Sequence, residues 1–187
     1  MKAQGIKFYD TPIGKAFFVA NDGYIIKIET VKNVKKNKSK IGNVEDEMGT
    51  SFEDEHGITH YIDKSERELI AANTVVLNDC ERQLAEYFKG ERKEFTFKYK
   101  NIGTKFRKKV WKELEKIPYG TTCTYKDIAR SINDEKASRA VGGANNNNNI
   151  WIVVPCHRVI GFDGSMTGFG GGIDVKEWLL EHEKKHK

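Results

Sequence analysis

At Gly103 the sequence changes texture, and this constrains the fold more than any other feature. Before it, alternating apolar and polar residues read as strands. Lys7–Tyr9 and Ala16–Ala20 flank the turn Thr11-Pro12-Ile13-Gly14, and Asn21-Asp22-Gly23 leads into Tyr24–Thr30 as a strong hairpin signal. Leu77–Phe88 reads as a helix with Leu77, Cys80, Leu84, Tyr87 and Phe88 on one face, which makes Cys80 a core cysteine. Phe95–Tyr99 alternates like a further strand, and the polar stretch Lys32–Gly57 reads as a mobile loop or frayed hairpin. After Gly103 come short helices joined by glycine-containing turns. Thr104 can cap one bearing Phe106, Val110, Leu114 and Ile117, stopped by Pro118-Tyr119-Gly120. Thr124-Tyr125-Lys126-Asp127 opens a second as a capping box, with Asp where Glu or Gln is usual. Lys136–Asn145 forms a third, rich in small residues, and the pair looks like a helix-turn-helix. Asp174-Val175-Lys176-Glu177 caps a last helix with Trp178, Leu179 and His182 on one side.

A chain of 187 residues can bury a real core as one large domain or two small ones. No apolar stretch approaches a membrane span, and the first ten residues lack the apolar core of a signal peptide, so a soluble, cytoplasmic protein is expected. Three widely spaced cysteines (Cys80, Cys123, Cys156) argue against a disulfide framework, and without a CxxC pair a structural zinc site has no support. The net charge of +5 is uneven: residues 1–95 carry −2 and residues 96–187 carry +7. A basic half beside a nearly neutral one suits either a polyanion partner or a lysine-rich solvated surface.

Within the basic half, Ile152-Val153-Val154-Pro155-Cys156-His157-Arg158-Val159 sets a cysteine between proline and histidine, after what reads as a short β-branched strand. Thiolate chemistry needs a nearby base and a rigid backbone, and this run holds the materials for both. Adjacent strand residues point to opposite faces, so the pair alone fits a buried structural cysteine equally well.

The surrounding segments decide between these readings. GTKFRKKVWKELEKIPYG, TYKDIA, SRAVGGAN, IVVPCHRVIG, GFGGG and KEWLLEHE, spread over residues 103–183, resemble in order the catalytic domain of the O6-alkylguanine-DNA alkyltransferases. YDTPIGKAFFVANDG and QLAEYFKGERKEF resemble the family's N-terminal half more faintly. The resemblance implies an α/β protein: a ribonuclease-H-like N-terminal domain over residues 1–100 and a winged helix-turn-helix-like catalytic domain over residues 101–187. It implies a single-turnover methyltransferase that repairs O6-alkylguanine without a cofactor or metal, Cys156 taking the alkyl group.

By the same resemblance Glu183 orients His157, which acts through a water on Cys156, and Tyr125 donates a proton to the departing guanine. Asn148 pins the turn before the active-site strand. Arg139 fills the hole left by a flipped nucleotide, while Ala137, Ser138, Ala140, Gly142 and Gly143 let a helix approach the minor groove of double-stranded DNA closely. The carbonyls of Cys156 and Val159 and the amide of Gly170 would read guanine, with Phe169 packed on the base. A monomer is expected. Three positions depart from the family pattern: Asn148-Asn149 replaces asparagine-proline, leaving five asparagines able to serve the turn, Thr167 stands where glycine is common, and Gly170 where some members have serine. A non-catalytic helix-turn-helix protein that binds lesions or regulates transcription would also explain the charge and Arg139, but not PCHRV. A thiol hydrolase using Cys156 and His157 is the third reading.

Overall fold

The computed structural model describes residues 4–30, 51–53, 59–61 and 64–187. Its N-terminal half is an antiparallel meander, β1 (Gln4–Thr11), β2 (Gly14–Asn21) and β3 (Tyr24–Thr30), in that order. Asp22 and Gly23 both take positive φ (54° and 73°), the geometry a two-residue hairpin turn demands and the reason Asp-Gly sits there. Two short strands, β4 (Ser51–Glu53) and β5 (Thr59–Tyr61), pair antiparallel. The rest of the expected polar loop, Lys32–Gly57, lies outside the described residues.

Helix α1 (Lys64–Phe88) crosses the meander and begins well before the expected Leu77. Asn73, a poor helix former, is held inside it because its side chain accepts from the Gly23 amide at 2.9 Å. Phe95–Tyr99 is not a full strand. The Thr96 amide donates to the Gln83 side chain at 2.8 Å, which leaves one parallel bridge between Ile25 and Tyr99.

The second half is helical. α2 (Lys105–Leu114) starts on Thr104, whose hydroxyl accepts from the Arg107 amide, and buries Val110, Trp111 and Leu114. β6 (Cys123–Thr124) leads into α3 (Tyr125–Ser131), where Thr124 and Asp127 form the expected reciprocal capping box. A 3₁₀ turn, Glu135–Ala137, leads to α4 (Ser138–Asn146), which packs on α2 and α3. β7 (Val159–Ile160) pairs parallel with β6. α5 (Ile173–Lys185) closes the chain; its cap is Gly172 without a side-chain bond, so Asp174 lies in the first turn and is not the cap. The apolar core is continuous, running from Phe18 and Ile25 through Leu84 and Trp111 to Val159 and Leu179. Among the described residues no helix is long and apolar enough to cross a membrane.

Candidate active site

Ile152-Val153-Val154 has strand composition, but Asn148 captures the backbone first. Its Oδ1 accepts from the Ile150 amide at 3.0 Å and its Nδ2 donates to the Val154 carbonyl at 2.7 Å. The Val154 amide turns back to the Ile150 carbonyl at 3.0 Å. Ile152 is thereby held at φ 71°, a left-handed conformation that a β-branched residue adopts only when its surroundings impose it. The expected strand is therefore a chain of turns, followed by the 3₁₀ turn Cys156–Arg158. The same Asn148 amide donates to Cys156 Sγ at 3.0 Å, and Asn145 donates to the Cys156 carbonyl at 3.1 Å. Two of the five asparagines thus hold the cysteine directly. Asn147 instead closes α4 on the Gly143 carbonyl.

Cys156 is 1 % exposed, and burial pushes its thiol up to about 11 against the opposing pull of the Asn148 amide and the Lys176 charge. At neutral pH it is a thiol, so attack requires a base. Beside it, His157 is fully buried with Nε2 2.8 Å from Glu183 Oε1. An ionised carboxylate only accepts, so Nε2 carries the proton and Nδ1 keeps its lone pair. Nδ1 is buried with no partner among the described residues, and its lone pair can take a proton. Burial holds the imidazole below its ordinary value, even with Glu183 opposing, so it rests neutral.

Glu183 is the hub. Burial alone would raise its pKa, but His157 and Arg158 hold the carboxyl well below the usual range. Arg158 grips it with two bonds, Nε to Oε2 at 2.8 Å and Nη2 to Oε1 at 2.9 Å, and anchors itself on the Ile117 carbonyl at 2.6 Å. The Gly120 amide donates to Oε2 at 3.0 Å and the Tyr87 hydroxyl to Oε1 at 2.9 Å.

The loop before α5 folds over this group. Tyr125 donates its hydroxyl to the Thr167 carbonyl at 2.6 Å, and burial raises the phenol, keeping it protonated. Lys176, wholly buried, donates to the same carbonyl at 2.9 Å and to the Val159 carbonyl at 2.6 Å. The desolvated lysine clamps the loop to β7. Phe169 is buried against Trp151 with ring centroids 5.1 Å apart, and Gly170 borders a cavity lined by Asn146–Asn149, Trp151 and Glu29. On α4, Arg139, Ala140 and Gly143 are exposed and Ser138 and Gly142 partly so, whereas Ala137 is buried behind them and cannot share their face.

Arg158, Lys176 and Tyr87 escaped the sequence reading, which held Asn145 only as one of five candidate asparagines. Lys176 had a signal: it shares with Glu183 the α5 face of buried Leu179, three and four residues away. His182 stacks on Trp178, and His186, four residues on, packs at a tilt against His182. No group of three or more potential ligand side chains capable of holding a metal occurs among the described residues.

A buried thiol with an amide on its sulfur, a His–Glu pair behind it and an exposed small-residue helix beside it define a cysteine-centred protein on a mixed α/β frame. The profile "6-O-methylguanine DNA methyltransferase, DNA binding domain" matches residues 105–185. The methylated-DNA--protein-cysteine methyltransferase of Methanosarcina mazei is 48 % identical over 139 residues, 71 % of this chain and 88 % of that protein. That of Methanosarcina acetivorans is 53 % identical over 111 residues, 59 % of this chain and 71 % of the relative. The structure of Mycobacterium tuberculosis OGT in complex with DNA superposes with a TM-score of 0.73 at 32 % identity, covering 97 % of this chain and 93 % of that one. The chain belongs to the methylated-DNA--protein-cysteine methyltransferase family.

Proposed function

We propose that this protein repairs O6-alkylguanine in DNA by transferring the alkyl group, irreversibly and once per molecule, to its own Cys156. The observation that carries this is the buried Cys156 Sγ, held by the Asn148 amide at 3.0 Å with the neutral His157–Glu183 pair behind it. Sulfur attacks the alkyl carbon in line, a C–S bond forming as the C–O6 bond breaks. The thiol proton passes through a water to His157 Nδ1, and Glu183 stabilises the imidazolium that results. Tyr125, released from the Thr167 carbonyl, donates to the departing guanine. Net, the alkyl group ends on sulfur and guanine keeps the proton from Tyr125, while the imidazolium gives the thiol proton back through solvent to restore the phenol. Because the acceptor is the protein itself, the reaction needs no cofactor.

The thiol is inside the protein, so the nucleotide must leave the duplex to reach it. Helix α4 enters the minor groove of double-stranded DNA with the surface of exposed Ala140 and Gly143 and partly exposed Ser138 and Gly142, and Arg139 fills the space the nucleotide vacates. Ala137 supports this helix from behind. The carbonyls of Cys156 and Val159 and the amide of Gly170 read guanine, and Phe169 backs the pocket. In this reading residues 1–100 form a ribonuclease-H-like domain and residues 101–187 a winged helix-turn-helix-like one, in a cytoplasmic monomer. Lys and Arg contacts to phosphates make the affinity fall with salt.

The test is intact-protein mass with peptide mapping after mixing with a duplex containing one O6-methylguanine. One methyl on Cys156, saturating at one per protein and lost in Cys156→Ser with DNA binding intact, is the expected result. DNA binding without any mass change would leave a lesion-binding or regulatory protein.

A further inference from the structure

The hub carboxylate takes one of its donors from the other half of the chain. Tyr87 stands in the last turn of α1, fully buried, with its ring edge-on to Tyr119 (centroids 6.0 Å apart) and near Phe95 and His182. Its carbonyl accepts from His182 Nε2 at 2.7 Å, which fixes the end of α1 on α5. Its hydroxyl donates to Glu183 Oε1, the same oxygen that accepts from His157. Donors to one oxygen share its charge, so what one withdraws the others lose.

We propose that Tyr87 is a positioning residue for alkyl transfer: its hydroxyl, acting through Glu183, sets how strongly His157 holds a proton. This rests on the reading of Cys156, His157 and Glu183 given above. A purely packing role would be filled by phenylalanine, yet here a phenol meets the carboxylate that backs the base. Burial and the neighbouring carboxylate raise the phenol well above its ordinary value, so it stays a donor at every pH at which the protein works. The other groups facing the pair are Arg158 and Lys176, with His182 and the buried Tyr119 hydroxyl on the Glu183 side. Arg158 Nη2 donates to the same Oε1, so the charge that Tyr87 releases is shared between Arg158 and His157.

Tyr87→Phe returns charge to Oε1, which favours the imidazolium. His157 then becomes protonated, and useless as a base, at a higher pH. The experiment is the single-turnover rate of methyl transfer to Cys156 from a saturating O6-methylguanine duplex, followed from pH 5 to pH 9. The expected result is an acid limb moved upward by about half a unit or more, with DNA affinity unchanged. A limb that superimposes on wild type, in a variant altered only in melting temperature, overturns the proposal and leaves Tyr87 as packing.

Should Tyr87→Phe not fold, 3-fluorotyrosine at position 87 keeps the shape and strengthens the donor. Its limb must move downward, and an unmoved limb overturns the proposal. Failure of wild type to methylate Cys156 would remove the parent reading itself. Normal wild-type transfer with an unmoved limb removes only the role of Tyr87.

Discussion

Asn148 does three things with one side chain: it accepts from the Ile150 amide, donates to the Val154 carbonyl and donates to Cys156 Sγ. Asn148→Ala strands the buried Ile150 amide, at a cost of about 1–3 kcal/mol, leaves the Val154 carbonyl with the Cys156 amide as its donor, and frees Ile152 from its left-handed conformation. The expected outcome is a melting temperature lower by several degrees and a transfer rate reduced by more than stability explains, measured on protein verified as folded. The burden on this residue was half legible in the sequence. An asparagine run before PCHRV marks a turn, but five identical residues cannot announce which one faces the sulfur. Packing made that choice, burying Asn145 and Asn148 and leaving Asn146 and Asn147 exposed.

Among the elements, the helices were the most readable, because capping chemistry is local. Thr104, and Thr124 with Asp127, mark their helix starts without help from tertiary structure. What failed was β-branched composition at residues 152–154, overridden by a side chain several positions earlier, and strand alternation at 95–99, overridden by Gln83. Helix α4 offers a test of its own. A Cβ built on Gly143 meets nothing within 4 Å, so Gly143→Ala should stabilise the helix by about 1 kcal/mol. If α4 is the surface laid into the minor groove, the added methyl lowers duplex affinity in a binding titration while the melting temperature rises. Opposite signs in the two measurements separate a DNA-facing helix from an ordinary solvated one.

Across the whole molecule the buried titratable groups give stability a predictable pH profile. Glu183 is held below its ordinary 4.5, so its contribution is complete above that value and is lost as the pH falls below it. His157, held below its ordinary 6.5, works in the same sense: the unfolded chain takes up the proton that the folded imidazole resists. Cys156 has the opposite sign, because its thiol is raised from 9.0 to about 11, and stability is lost as the pH climbs through that interval. Denaturant unfolding between pH 4 and pH 10 should therefore show a broad maximum near neutrality. Glu183→Gln should lose about 3–5 kcal/mol at neutral pH, because Arg158 stays buried without its anion, and should flatten the acid side.

The backbone of β3 carries a further consequence. Its outer side bonds not to another strand of the meander but to two pieces of the later chain. The Ile25 amide donates to the Lys98 carbonyl at 2.9 Å, and the Ile28 amide donates to the Asn149 carbonyl at 2.7 Å. The asparagine run that shapes the thiol turn is thus also the selvedge of the N-terminal sheet, sealing a margin that would otherwise template foreign strands. A fragment ending at residue 100 would expose the Ile28 end of that margin. Such a fragment should self-associate on concentration, visible by light scattering, and disperse when residues 101–187 are supplied in trans.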